Sequence, residues 1–254
     1  MLTKKEGNFI RSLKHKKYRE RYGMFFVEGE KLVAELLNSE IEVVTVYATS
    51  KWKMPPLRVK SGLDVRIISD VELQRISSLS TPNKVLCTAK IPQYQFDVKK
   101  ISGLTLVLDN IMDPGNLGTI IRTADWFGIE NILCSENCVD LYNPKVVQST
   151  MGSILRVKVY YLDIKALLVQ MKNSMSVFGM VLNGDSIYKR EFPNDVLLLL
   201  GNESKGISPE LLPMVHEKLS IPAIGRAESL NAALACAIAC SEYAKKFHSK
   251  VNDT

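Results

Sequence analysis

Along the chain the spacing of apolar positions changes several times, and the changes divide it in two. From Phe25, FFVEGEKLVAELLNS places apolar residues at helical spacing, and EVVTVYATS then alternates in the manner of a strand. VRIISDVELQRISSL repeats a strand-then-helix order, and VLCTAKIP is a further strand-like run closed by Pro92. A small α/β domain is therefore predicted over residues 1–95, followed by a polar linker over 96–103 that ends on Gly103.

Residues 104–254 alternate more plainly. LTLVLDN reads as a strand; past Pro114 and Gly115, NLGTIIRTADWF reads as a helix stopped by Gly128, and IENILC as the next strand. Asn143 and Pro144 open another helix as cap and first-turn residue. VKVYYL, SVFGMVL, VLLLL and KLSIPA follow as apolar runs of strand length, with helical patterns between most of them. Such alternation predicts a largely parallel sheet covered on both faces. Ligands of such sheets lie beyond the carboxyl ends of the strands, so the loops after LTLVLDN, VLLLL and KLSIPA are where chemistry is expected.

Composition leaves this picture standing, since 46% hydrophobic and 24% charged residues suit a folded core and not disorder. No run of about 18 apolar residues lacks charge, and MLTKKEGNFIRSLKHKKYRE lacks the apolar centre of a signal peptide. The expectation is a cytoplasmic protein with no membrane segment. Charge adds a functional hint. Residues 1–100 hold 19 Lys and Arg against 11 Asp and Glu, whereas residues 101–254 hold 14 against 16. The positive charge belongs to the first part, as in a polyanion-binding module, although solubility alone also produces basic domains. The five cysteines include the pairs Cys134/Cys138 and Cys236/Cys240. The second pair lies in the Ala-rich helical run LNAALACAIAC, where cysteine is a small apolar filler, and no metal is expected.

Three loops carry the candidate chemistry. In NLGTIIRTADWFG the apolar face of Leu117, Ile120, Ile121, Ala124 and Phe127 leaves Asn116, Gly118 and Arg122 for another face. Arg122, one turn beyond Gly118, leans back toward the ligand edge; a surface arginine beside a packing glycine is the plain alternative. LLLLGNESKGISPELL has the glycine spacing of a phosphate-binding P-loop, but Ile207 and Ser208 stand where that motif needs Lys and Ser/Thr. Ser208 and Pro209 read instead as a helix cap and first residue, leaving GNESKGI as a glycine-bounded loop whose Glu203 and Lys205 also suit a solvated turn. KLSIPAIGRAESLNAALACAIA runs from a strand through Pro222 and Gly225 into a long helix capped near Ser229, with Asn231 beside it. Both residues also suit simple capping. The histidines are scattered, so a hydrolase triad lacks material, and LTLVLDNIMDPGNLG lacks the glycine fingerprint of dinucleotide-binding folds.

Together and in this order, DPGNLGTIIRTADWFGI, LLLGNESKGI and IPAIGRAESLNAALACAIA resemble the three motifs of the SpoU (TrmH-type) RNA ribose 2′-O-methyltransferases. QSTMGSILRVKV also resembles that family, and the likeness covers roughly residues 103–247. RERYGMFFVEGEKLVAELL through STPNKVLCTAKIP resembles, more loosely, the substrate-binding domain that often precedes it, itself similar to ribosomal-protein-type RNA-binding modules. The resemblance implies a SPOUT methyltransferase domain over 104–254, with a parallel sheet, a trefoil knot and a homodimer, behind a small α/β RNA-binding domain. It implies S-adenosyl-L-methionine as cofactor, held by Gly201, Asn202, Ile221 and Leu230, and no metal. Arg122, Asn116, Glu203, Ser229 and Asn231 match the motif residues that carry the chemistry. Arg122 stays protonated in almost any site, so orienting phosphate and hydroxyl suits it better than acting as a plain base. Ala232 and Ala233 depart from the residues usual there. The implied substrate is RNA, large-subunit rRNA first and tRNA second, and a non-catalytic RNA-binding or ribosome-assembly factor of the same fold is the rival reading.

Overall fold

The computed structural model describes residues 1–56 and 62–251, with the backbone alone for 247–251. In chain order its elements are α1 (Lys4–Ser12), α2 (Lys16–Tyr22), β1 (Met24–Glu28), α3 (Glu30–Leu37), β2 (Val43–Ala48), β3 (Val65–Ile67), α4 (Asp70–Ile76) and β4 (Val85–Lys90). Then come β5 (Leu104–Leu108), α5 (Pro114–Trp126), β6 (Asn131–Ser135), α6 (Pro144–Ser149), β7 (Lys158–Leu162), α7 (Ile164–Met171), β8 (Ser176–Ser186), β9 (Val196–Leu200), β10 (Glu217–Ser220) and α8 (Ala232–Val251). They divide into two compact units, one of residues 1–94 with 140–155, the other of 95–139 with 156–254.

The first unit is built on a sheet of order β1-β4-β2-β3, with β4 antiparallel to both neighbours and β3 parallel to β2. Its core joins Ile10 and Leu13 to Phe26, Tyr47 and Leu86 of the strands and to Leu73 and Ile76 of α4. α1 and α4 each start on a capping box, Thr3 with Glu6 and Ser69 with Glu72, so the two helix starts are written locally. The structure corrects one expectation here. FFVE is not the start of a helix: Phe25 to Glu28 pair with Ala89 to Leu86, and Gly29 at φ +96° breaks the strand before α3. The helical period seen from Phe25 belonged to α3, and pairing with β4 decides the rest, as the aromatic and β-branched residues FFV favour.

The second unit carries a six-stranded sheet of order β10-β8-β9-β5-β6-β7, in which every neighbouring pair is parallel. β5 and β9 lie at its centre and are buried at every position, which is why β9 reads as an unbroken apolar run and β5 as one interrupted only by Thr105. From β5 the chain moves outward through β6 and β7; from β9 it leaves the other way, to β10 at the opposite edge. The β5/β9 boundary is therefore a topological switch point, where a crevice opens beyond the strand ends.

Two helix expectations near that crevice change. Ser208 and Pro209 start no α-helix; the Leu211 N–H bonds to the Ser208 carbonyl at 2.9 Å and a short 3-10 turn, Leu212–Met214, follows. Pro213 removes an N–H that a continuing helix would need and disfavours helical geometry at Leu212. The last helix starts at Ala232, and its cap is Asn231, not Ser229: Asn231 Oδ1 accepts from the N–H groups of Ala233 at 2.9 Å and Leu234 at 3.3 Å. Among the described residues no helix is long and apolar enough to cross a membrane.

Candidate active site

β5 and β9 run in register to their ends, Leu108 beside Leu200, and the Asp109 N–H donates to the Leu200 carbonyl at 2.8 Å. The loops that follow therefore leave the sheet side by side. Asp109 is only 3% exposed, and a carboxylate taken out of water needs donors. It has two: the Ser208 N–H reaches Oδ2 and the Asn110 side-chain amide reaches Oδ1, each at 2.7 Å. Asn110 holds φ +56°, in the left-handed region that asparagine tolerates, and its amide also donates to Ser208 Oγ at 3.2 Å.

The second loop is a closed turn. Asn202 and Gly206 exchange both backbone hydrogen bonds at 2.9 Å, and Asn202 Oδ1 accepts from the N–H groups of Ser204 at 3.0 Å and Lys205 at 3.1 Å. A Cβ on Gly201 would fall 2.1–2.3 Å from backbone atoms of Gly206 and Ile207, so the two limbs touch and only glycine fits. Asn202 Nδ2 donates to the Asn110 carbonyl at 2.8 Å and leans on Glu203 Oε2 at 3.3 Å, tying this turn to the first loop.

Glu203 then sets the direction of a longer path. A carboxylate can only accept, so Asn116 must turn its Nδ2 to Glu203 Oε1, at 2.7 Å. The Asn116 Oδ1 is thereby left facing Asn231, whose Nδ2 donates to it at 2.8 Å. Asn231 has only its own Oδ1 left, which caps α8. One charge thus orients two amides and closes the start of a helix, joining all three loops. Asn116 is 8% exposed, and α5, which carries it, packs against α8.

Of the residues expected from sequence, the structure brings together Asn116, Asn202, Glu203 and Asn231, with Gly201 at the base of the turn. Arg122 stands on α5, exposed, and among the described residues it has no hydrogen-bond or ion-pair partner. Ile221 is half-buried, while Ser229 and Leu230 lie in the exposed segment 222–230, in which no backbone group bonds to another among the described residues. Asp109, Asn110 and Ser208 belong to the site and escaped the motif search. Asp109 was the available signal, a carboxylate directly after the apolar run Leu106, Val107 and Leu108. Behind the first loop, Cys138 Sγ accepts from the Ile111 N–H at 3.3 Å. A hydrogen bond from Cys134, helped by Ser135 and Ile111, brings the Cys138 thiol down to about 7 against the opposing effect of burial.

These residues suit a nucleoside carrying a charged tail. The limbs of the turn meet without room for a side chain at Gly201, the 222–230 segment keeps its backbone donors and acceptors uncommitted among the described residues, and Leu230 and Ile224 within it present apolar surface, 46% and 103% exposed. Among the described residues no cluster of three or more His, Cys, Asp or Glu side chains is placed to hold a metal ion.

Comparison with known proteins agrees with the geometry. The SpoU rRNA Methylase family matches residues 103–241, which hold all three loops. The chain belongs to this family. The MRM3-like substrate binding domain matches residues 8–87. The chain is 29% identical over 231 residues to the 23S rRNA (guanosine(2553)-2′-O)-methyltransferase RlmP of Bacillus subtilis, covering 90% of this chain and 91% of that one. A structure from Porphyromonas gingivalis, assigned to the TrmH family of RNA methyltransferases, aligns at 36% identity and TM-score 0.84 over 96% of this chain and 98% of that one. An AdoMet-bound rRNA methyltransferase from Sinorhizobium meliloti aligns at 26% identity and TM-score 0.83 over 97% of each. A SpoU methylase uses S-adenosylmethionine, and the loops of this chain fit it.

Proposed function

We propose that the chain methylates a ribose 2′-hydroxyl of large-subunit rRNA with S-adenosyl-L-methionine. The observation that carries this reading is the convergence of three loops on Glu203, through Asn116 and Asn231, at the carboxyl ends of β5 and β9. The similarity to RlmP, whose name states 2′-O-methylation of 23S rRNA, supports the substrate. Residues 1–95 would capture RNA and residues 104–254 carry the chemistry, as a cytoplasmic homodimer whose C-terminal segment is knotted.

The cofactor, when bound, supplies an electrophilic sulfonium methyl, so the protein has to position reactants and help remove one proton. Gly201 and Asn202 of the turn, with Ile221 and Leu230 of the third loop, would hold it. Glu203 keeps both oxygens engaged by Asn116 and Asn202, which fits it for orienting amides and not for moving a proton. Arg122, exposed and without a partner among the described residues, would be available to a phosphate oxygen and to the 2′-hydroxyl, where its charge favours the alkoxide; the proton would leave to solvent. Ser229, at the mouth of the third loop, would fix the ribose. Incubation with methyl-labelled S-adenosylmethionine and total RNA tests the reading. Label in alkali-resistant, ribose-methylated dinucleotides of large-subunit rRNA is expected; label only on bases would overturn it.

A further inference from the structure

The first two helices hold far more charge than their length explains. Residues 4–22 contain eight Lys and Arg against two Asp and Glu, a surplus equal to the +6 of the whole chain. Within α2 the sequence KKYRERY sets Lys17 and Arg21 four residues apart and Tyr18 and Tyr22 four residues apart, so a cationic stripe lies beside an aromatic one. The structure makes them a ladder. Lys17 Nζ lies 4.9 Å from the centre of the Tyr18 ring and the Arg21 guanidinium 5.6 Å from that of Tyr22. The two rings are nearly parallel, 13° apart with centroids 6.3 Å apart, and Phe9 of α1 props Tyr22 edge-on at 5.1 Å.

This face is exposed: Lys17 and Arg21 are open to solvent, lack an acidic partner among the described residues, and stand with a tyrosine that is 43% exposed. Surface cation–ring pairs alone stabilise a helix only slightly, which does not account for the way α2 is pinned. Arg19, on its opposite side, is 2% exposed; its guanidinium donates to the Leu13 carbonyl at 2.8 Å and pairs with Asp140 at 3.2 Å. A seven-residue helix held by a buried arginine presents its ladder in a fixed orientation.

We propose that the α1–α2 face formed by Lys17, Tyr18, Arg21 and Tyr22, with Phe9 behind it, binds unpaired RNA. Two cations one helical turn apart, about 5.4 Å along the axis, are set to follow the phosphates of a single strand. The tyrosine ring beside each cation offers a face on which a base stacks without sequence preference. A duplex hides its base faces, so the surface favours unpaired nucleotides. The inference rests on the RNA reading above and adds which residues grip the substrate.

The test uses the full chain and three fluorescein-labelled probes: a 20-nucleotide RNA hairpin with an eight-nucleotide loop, a blunt RNA duplex of equal length, and vesicles of anionic phospholipid. Anisotropy is read as a function of KCl. K17Q/R21Q should bind the hairpin about tenfold or more weakly, with a salt slope reduced by about 1.4, the value for two single-strand phosphate contacts. Y22L should lose about fivefold on the hairpin and nothing on the duplex, with its salt slope unchanged. Both variants change exposed positions and should bind S-adenosylmethionine as the wild type does. Wild-type affinity for the hairpin in K17Q/R21Q, equal losses of Y22L on hairpin and duplex, or binding to vesicles in place of RNA overturns the proposal. If the wild type methylates rRNA and these variants do so equally well at limiting RNA, this surface fails and the function stands; if the wild type neither binds nor methylates RNA, both fail.

Discussion

Replacing Asn116 by aspartate exchanges an NH2 group for an oxygen at a point where the site depends on a donor. The amide gives its proton to Glu203 Oε1 at 2.7 Å from a side chain that is 8% exposed, so N116D places two carboxylates in contact. The lost hydrogen bond to a charged acceptor is worth about 1.5–3 kcal/mol. Two like charges that relax to about 4 Å repel by about 4 kcal/mol at an effective dielectric of about 20, and the half-buried Glu203 turning toward water removes much of that. A net loss of about 3 kcal/mol above pH 7 follows. The pH dependence has a definite sign. In the folded variant a proton shared between the two groups restores the missing donor, so the fold takes up that proton more readily than the unfolded chain does. Stability is therefore kept at low pH and lost as pH rises.

The assay is urea denaturation of wild type, N116D, E203Q and N116D/E203Q at pH 5.5 and 8. E203Q should cost about 1 kcal/mol or less, since glutamine still offers Asn116 an oxygen. The double variant should recover about 2 kcal/mol of the N116D deficit at pH 8, because the glutamine amide then donates to the new carboxylate, and that coupling is what the cycle measures. The new carboxylate still presents an oxygen to Asn231, so amide exchange at Ala233 and Leu234 should stay slow in N116D. N116D as stable as wild type at pH 8, or a double variant no better than N116D, refutes the assigned direction of the path.

Three further outcomes are expected. G201A drives a methyl group into the Gly206–Ile207 backbone and should cost about 3 kcal/mol in denaturation while abolishing calorimetric binding of S-adenosylmethionine. R122A removes an exposed side chain that has no partner among the described residues, so stability should change by less than about 0.5 kcal/mol, while kcat/KM for RNA methylation should fall about 100-fold. Cys138 has a folded-state pKa of about 7, below its ordinary value of 9.0, so its contribution is present above the ordinary value and lost as pH falls through about 7. Wild type should therefore gain stability over C138S between pH 7 and pH 9, and equal differences at the two pH values would overturn that assignment.

How much of this was legible in the chain depends on the range of the interaction concerned. β9 was plain because burial on both faces writes an unbroken apolar run, and β5 because only Thr105 interrupts its own; α5 was plain from its apolar spacing, although its first turn, Pro114 and Gly115 behind the cap Asp113, reads as loop in the sequence. Where two neighbouring signals compete, long-range pairing decides: FFVE became a strand through β4, and Ser208 lost its helix to Pro213 and its N–H to Asp109. The motif residues were found as types at fixed spacings, but not their partners, since the bond from Asn116 to Glu203 spans 87 residues and that from Asn231 to Asn116 spans 115. The roles of Asn110 and Ser208 were hidden for the same reason, Ser208 being bonded to Asn110 across 98 residues and to Asp109 across 99. An asparagine carries a donor and an acceptor of equal reach, so its type alone cannot say which way it points. The acceptor-only carboxylate of Glu203 breaks that symmetry at one end and the donor-only N–H groups of Ala233 and Leu234 at the other, from two different loops, which makes the orientation of Asn116 a property of the assembled fold.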